Sequence, residues 1–120
     1  MIDEYRFGLI IIDGKNYDYD VEVRWTGEIL KWWRKQSHVI DVDDVKRALE
    51  AKPETIVIGK GESGMAEVTE AMEKEVKSRG IELIVDQTEQ AVKTFNIIAE
   101  NSPEEEGVQN KVIGLFHLTC

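Results

Sequence analysis

The stretch Ile56–Ala66 constrains the fold of this chain more than any other. Thr55–Ile58 is a short, fully apolar run. Gly59-Lys60-Gly61-Glu62-Ser63-Gly64 follows, and Met65, Val68, Met72 and Val76 then recur at helical spacing. An apolar run of that length reads as a buried strand, and a glycine cluster behind it reads as a tight turn. The spacing predicts a helix over Met65–Arg79, with Glu70/Lys74 and Glu73/Lys77 as i,i+4 pairs on its wet side. Gly80 ends it as a C′ residue. Ile81–Val85 is a second apolar strand, and Thr88 is placed to cap a helix running to about Glu100. Strands joined by a crossover helix run parallel with a right-handed connection.

The remaining segments complete an α/β domain. Phe7–Ile12 reads as a strand that ends at Asp13-Gly14, a strong hairpin signal. Tyr17–Trp25 alternates, with Tyr17, Tyr19, Val21, Val23 and Trp25 on one face and Asp18, Asp20, Glu22 and Arg24 on a wet one. Glu28–Gln36 reads as a short strand or irregular segment. Asp41 caps a helix whose stripe is Val42, Val45 and Leu49, and Pro53 stops it. Ser102–Asn110 is acidic and reads as a loop, and Val112–Thr119 is a final strand. The product is a mixed sheet with an N-terminal antiparallel hairpin and a strand–helix–strand–helix middle, helices packed on it. Its 120 residues fit one compact domain, without internal repeat or boundary.

Charge and composition exclude several function classes. With 24 acidic against 15 basic residues the net charge is −9, which disfavours broad contact with nucleic acid or an anionic membrane surface. A small anionic ligand remains open, because backbone N–H groups bind anions without side-chain charge. No apolar run approaches the ~20 residues that span a bilayer. The N-terminus lacks the pattern of a signal peptide, and Cys120 is the only cysteine. A cytoplasmic location is the expectation.

The glycine turn is formally G-x-G-x-x-G, with Asp86 about twenty residues on, the context of a dinucleotide fingerprint. In that reading Gly59, Gly61 and Gly64 let a phosphate approach the backbone, Lys60 and Ser63 add donors, and Asp86 accepts from a ribose. Glu62 opposes it by placing a negative charge in the cradle. Only about 35 residues follow Asp86, too few for a full doubly wound dinucleotide domain. A structural turn with a site for a small anion, formed by the same residues and Thr88, is the stronger expectation. Two helix N-termini are expected to point at that crevice.

His117 and Cys120 do not read as a metal pair, since residues three apart on a strand face opposite sides. No metal or cofactor is expected. Cys120 as a nucleophile would need a thiolate-stabilising partner, and His38 is the only other histidine. Trp32 and Trp33 sit beside Arg34; in an extended segment one enters the core while the other can anchor a partner protein.

Several of these residues resemble one small family. They are Gly59-x-Gly61 after an apolar strand, Thr88-x-x-Ala91 with Asn96 on the next helix, Trp33 with Ser37-His38, and the terminal His117-Leu118-Thr119-Cys120. The family is one of unknown function. It includes archaeal and bacterial single-domain proteins, with the adipogenesis-associated domain protein and mitochondrial complex I assembly factor three as eukaryotic relatives. The resemblance implies a three-layer α/β fold with a mixed sheet and a central C-terminal strand. That strand is expected to run antiparallel to its neighbours, carrying His117 away from the glycine crevice; a parallel strand would bring His117 and Thr119 to it. No catalytic residues come with the resemblance. It favours a non-enzymatic interaction or assembly module, acting as a monomer or homodimer. A small-ligand binder is the alternative, and an oxidoreductase stands behind both.

Overall fold

The computed structural model describes residues 1–101 and 110–120, so most of the acidic loop read at Ser102–Asn110 lies outside the described residues. The central layer is a five-stranded sheet in the order β5 (Ile29–Lys31), β4 (Val21–Arg24), β10 (Val112–His117), β7 (Thr55–Lys60), β9 (Glu82–Asp86). A three-stranded antiparallel sheet, β1 (Ile2–Arg6), β2 (Leu9–Ile12) and β3 (Lys15–Tyr17), packs with α3 (Thr88–Glu100) on one face. Helices α1 (Val42–Glu50) and α2 (Glu70–Ser78) cover the other face. A two-stranded parallel ladder, β6 (Val39–Ile40) with β8 (Glu67–Val68), lies just ahead of them in the chain. The chain is therefore mixed α/β and three-layered.

Alternation along the central strands explains the layers. Ile56, Ile58, Ile113 and Leu115 point into the core beneath α1 and α2, where Val45, Leu49, Met72 and Val76 meet them. Val57, Val112 and Phe116 point the other way, toward Val92 and Phe95 of α3 and Ile10 and Ile12 of β2. Both faces of β7 and β10 are buried, as parallel strands under helices require.

The last strand runs parallel to β7 and antiparallel only to β4, which corrects the expected direction. Its carboxyl end thus lies beside those of β7 and β9, with His117 in register with Lys60. The alternating run Tyr17–Trp25 is two strands in two sheets, not one. The chain breaks at Asp20, whose carboxylate and carbonyl accept the Leu118 and Trp32 N–H groups. Glu22, read on a wet face, is 1% exposed and held by Arg24 Nε at 2.7 Å and Arg47 Nε at 3.2 Å. Phe7 lies in the β1–β2 turn rather than in a strand, and is exposed.

The helix after the glycine turn begins at Glu70, not at Met65. Gly64 has φ +68, and residues 67–68 pair with β6 instead of continuing the helical stripe. Thr69 caps the helix, accepting from Met72 N at 3.1 Å. Gln87 rather than Thr88 is the N-cap of α3, and Thr88 is its first helical residue.

Candidate functional site

The carboxyl ends of β7, β9 and β10 form one edge, the usual ligand position of open α/β sheets. The predicted ligand residues come together there in a closed arrangement. Gly61 N–H donates to Thr88 Oγ1 (2.8 Å), and Thr88 N–H donates to Gly61 O (3.1 Å). Thr88 Oγ1 in turn donates to His117 O at 2.6 Å, tying the ends of β7 and β10 to the first turn of α3. Gly59 is required because a Cβ would lie 2.9 Å from the Thr88 Cα. Gly61 has φ +101, and a Cβ there would meet the Thr119 carbonyl at 2.6 Å. Glu62 N–H donates to that same carbonyl. The glycines thus let α3 and the tail after β10 close on the sheet edge, and the N–H groups of Gly61 and Thr88 are spent inside the protein.

Ser63 is exposed, and Asp86 accepts from the N–H of Gln87. Lys60 is half-buried and, among the described residues, has no ion pair. It lines a shallow open depression with Gly64, Met65, Ala66, Val68 and Val85. A dinucleotide cradle needs a helix opening at the last glycine; here α2 opens later, beside α1, and Thr69 donates to the Asp41 carboxylate that caps α1.

Sequence reasoning missed a second group at this edge. Arg34 Nη1 donates to Asp20 Oδ2 at 2.7 Å, and Arg34 Nη2 donates to Ser37 O at 3.0 Å. His117 Nδ1 lies 2.8 Å from the same Asp20 oxygen. A carboxylate beside Nδ1 selects the tautomer with its hydrogen there, so the Arg34 Nη2 contact to Nδ1 at 2.9 Å is proximity rather than a second hydrogen bond. Leu118 N–H fills the other Asp20 oxygen. Burial alone would raise the Asp20 pKa, but the bonds from His117, Leu118 and Arg34 outweigh it and hold the carboxyl below its usual value.

Arg34 and His117 side chains are each 5% exposed, and among the described residues nothing bonds to Arg34 Nε or His117 Nε2. The His38 ring stands perpendicular to His117 at 6.3 Å. Through Asp20 the cluster ties residues 34–37 to the end of β10. The signal for it, an Asp before one strand and a His at the end of another, is invisible without the topology.

The two tryptophans split between core and surface. Trp32 is buried, its Nε1 donating to Asp44 O at 2.9 Å and its ring beneath the Arg34 guanidinium at 4.6 Å. Trp33 is 72% exposed. Phe7 and Met65 are also exposed, and their loops reach the same edge, where Gly8 N–H donates to Leu118 O. Cys120 is exposed and, among the described residues, its thiol is free. A separate apolar cavity of about 230 Å³ lies at the other end of the sheet, lined by Ile12, Val23, Trp25, Ile29 and Phe95. Among the described residues no His, Cys, Asp and Glu side chains group to hold a metal, and no helix is long and apolar enough to cross a membrane.

Residues 2–113 match the family described as "Protein of unknown function (DUF498/DUF598)". The chain belongs to the DUF498/DUF598 family. Solved structures show the same fold. The conserved hypothetical protein PH1505 from Pyrococcus horikoshii OT3 is 27% identical, with a TM-score of 0.82 over 100% of this chain and 99% of that one. MT938 is 26% identical, with a TM-score of 0.79 over 100% of this chain and 98% of its own. A protein from Bartonella henselae described as an outer membrane protein is 21% identical, with a TM-score of 0.77 over 99% and 94%. That last likeness bears on the DUF498/DUF598 fold alone.

Proposed function

We propose that this chain is a non-enzymatic protein-interaction module of the cytoplasm whose anchor is Trp33. The supporting observation is the way Trp33 is held. Its neighbours on both sides are locked, Trp32 into the core and Arg34 into the Asp20–His117 cluster, while its own ring is 72% exposed. A large aromatic presented on rigid backbone loses little entropy on binding, the property of an interface anchor. Phe7 and Met65 are further exposed apolar side chains, on loops tied to Leu118 and Thr119. The fitting partner is a protein with an apolar pocket that receives the Trp33 indole. The resemblance to the adipogenesis-associated domain protein and complex I assembly factor three supports the same class.

A photo-crosslinking residue at position 33 tests this against one at Ile97, an exposed apolar site on the far half of α3. A partner caught only from position 33 is then purified. Its affinity is expected to drop at least about tenfold in Trp33→Ser, with unchanged melting. Equal capture from both positions, or full affinity in Trp33→Ser, removes the reading.

Lys60, without an ion pair among the described residues, favours a second reading, a small-anion site on the open side of the glycine turn formed with Gly64, with Glu67 and Glu73 of the same depression opposing it. Phosphate or citrate is then expected to raise the melting temperature, and Lys60→Met to abolish the rise. A flat response at tens of millimolar eliminates it.

A further inference from the structure

The central sheet has two free edges that are finished differently. At β5 the edge is three residues long, and Arg47 Nη2 donates to its Lys31 carbonyl at 2.8 Å. At β9 the edge is five residues long, Glu82-Leu83-Ile84-Val85-Asp86, charged only at its two ends and without proline, lysine or a bulge between them. Proteins normally blunt such an edge with one of these devices.

The phase of β9 is fixed by Glu82 N–H donating to Glu54 O. In a parallel ladder alternate residues bond to one side, so Glu82, Ile84 and Asp86 face β7. Leu83 and Val85 therefore turn their N–H and C=O groups outward. Among the described residues nothing bonds to them. A shallow depression flanks the strand on each face. One lies beside Val85, with Val68, Lys60, Glu67 and Glu73; the other lies beside Ile84, with Ile98, Glu54, Glu82 and Lys111. Alternate side chains of an added strand would enter these two in turn.

Charge decides the occupant. Each depression carries two carboxylates and one lysine, and Glu82 and Asp86 end the strand itself. A second copy pairing antiparallel about Ile84 would set Glu82 opposite Asp86, like charges across the ladder. We infer that the β9 edge accepts an extended segment of another protein, alternating and apolar at its centre, with lysine or arginine at both ends. This surface does not include Trp33 and does not rest on the reading above, although its Val85 depression is also lined by Met65 and Lys60.

The probe is a capped peptide of sequence Lys-Val-Thr-Val-Thr-Val-Lys, compared with its twin carrying glutamate at both ends. Binding is expected to slow amide exchange at Leu83 and Val85, about tenfold at ten times the dissociation constant, with little change at Ile84. The glutamate twin is expected to bind roughly tenfold more weakly, and Glu82→Lys with Asp86→Lys to reverse that order. Trp33→Ser is expected to leave all of this unchanged. Equal affinity for the twins, protection elsewhere than Leu83 and Val85, no binding at millimolar peptide, or a β9-dependent homodimer would each overturn the inference. The peptide comparison on the unaltered chain decides the matter even where the double variant does not fold.

Discussion

Tyr5 shows how one side chain reports on the edge where the strands end. Its hydroxyl donates to Leu118 O at 3.0 Å. Burial first, then the carboxylates of Glu62, Asp20 and Glu89, push its pKa from 10.0 to about 12. A raised pKa means the folded state favours the neutral phenol. The stabilisation is complete below pH 10 and is lost as pH climbs from 10 to 12. Tyr5→Phe is expected to cost about 1 kcal/mol at neutral pH, the worth of one hydrogen bond. The gap between the two proteins in urea unfolding should narrow through that alkaline window; a constant gap would separate Tyr5 from those carboxylates. Other single residues here were beyond the sequence for the same reason that Tyr5 is informative. Glu22 sits on the polar side of an alternating run, and its burial rests on Arg47, 25 residues on, as well as on Arg24. Arg34 reads as a surface cation until Asp20 and His117 are brought to it from opposite ends of the chain.

At the scale of elements, legibility followed range. The strands β7 and β9, the helices α1 and α3 and the Asp13-Gly14 turn were all readable, because each is written in adjacent residues. The start of α2 was not, because Met65 and Val68 continue its apolar spacing upstream while β6, far back in the chain, claims residues 67–68. The local signal that was overlooked is Thr69, a good N-cap ahead of Glu70 and Glu73. That residue also joins two elements. Its hydroxyl accepts from Met72 N and donates to Asp41 Oδ1, the oxygen that caps α1. Thr69→Ala is expected to lower stability by about 1–2 kcal/mol, near the top of the range for a single cap, since both helix starts lose a partner. Thr69→Ser should restore most of it in a thermal melt. Full stability in Thr69→Ala would mean the two caps are independent.

Across the whole molecule, a mixed sheet covered by helices was legible from apolar patterning, and the family resemblance implied its three layers, but the direction of one strand was misjudged. A strand's apolar pattern is the same read either way, so only its connections set its sense, and the connection into β10 runs through residues outside any recognisable pattern. That one direction decides the character of the candidate site, because it puts His117, Leu118 and Thr119 at the glycine edge and closes it. The glycines were rightly read as a turn, but the partners that fill the turn come from α3 and from the end of the chain. The central place of β10 has a further consequence in time. A ribosome makes β4 and β7 first, and neither touches the other in the finished sheet; both wait for the strand between them. Until β10 emerges, β7 holds an unpaired apolar edge on a chain that cannot yet close its sheet. Such a chain folds late and through long-range pairing, and during synthesis it is exposed to wrong partners for longer than a domain whose central strand is made first.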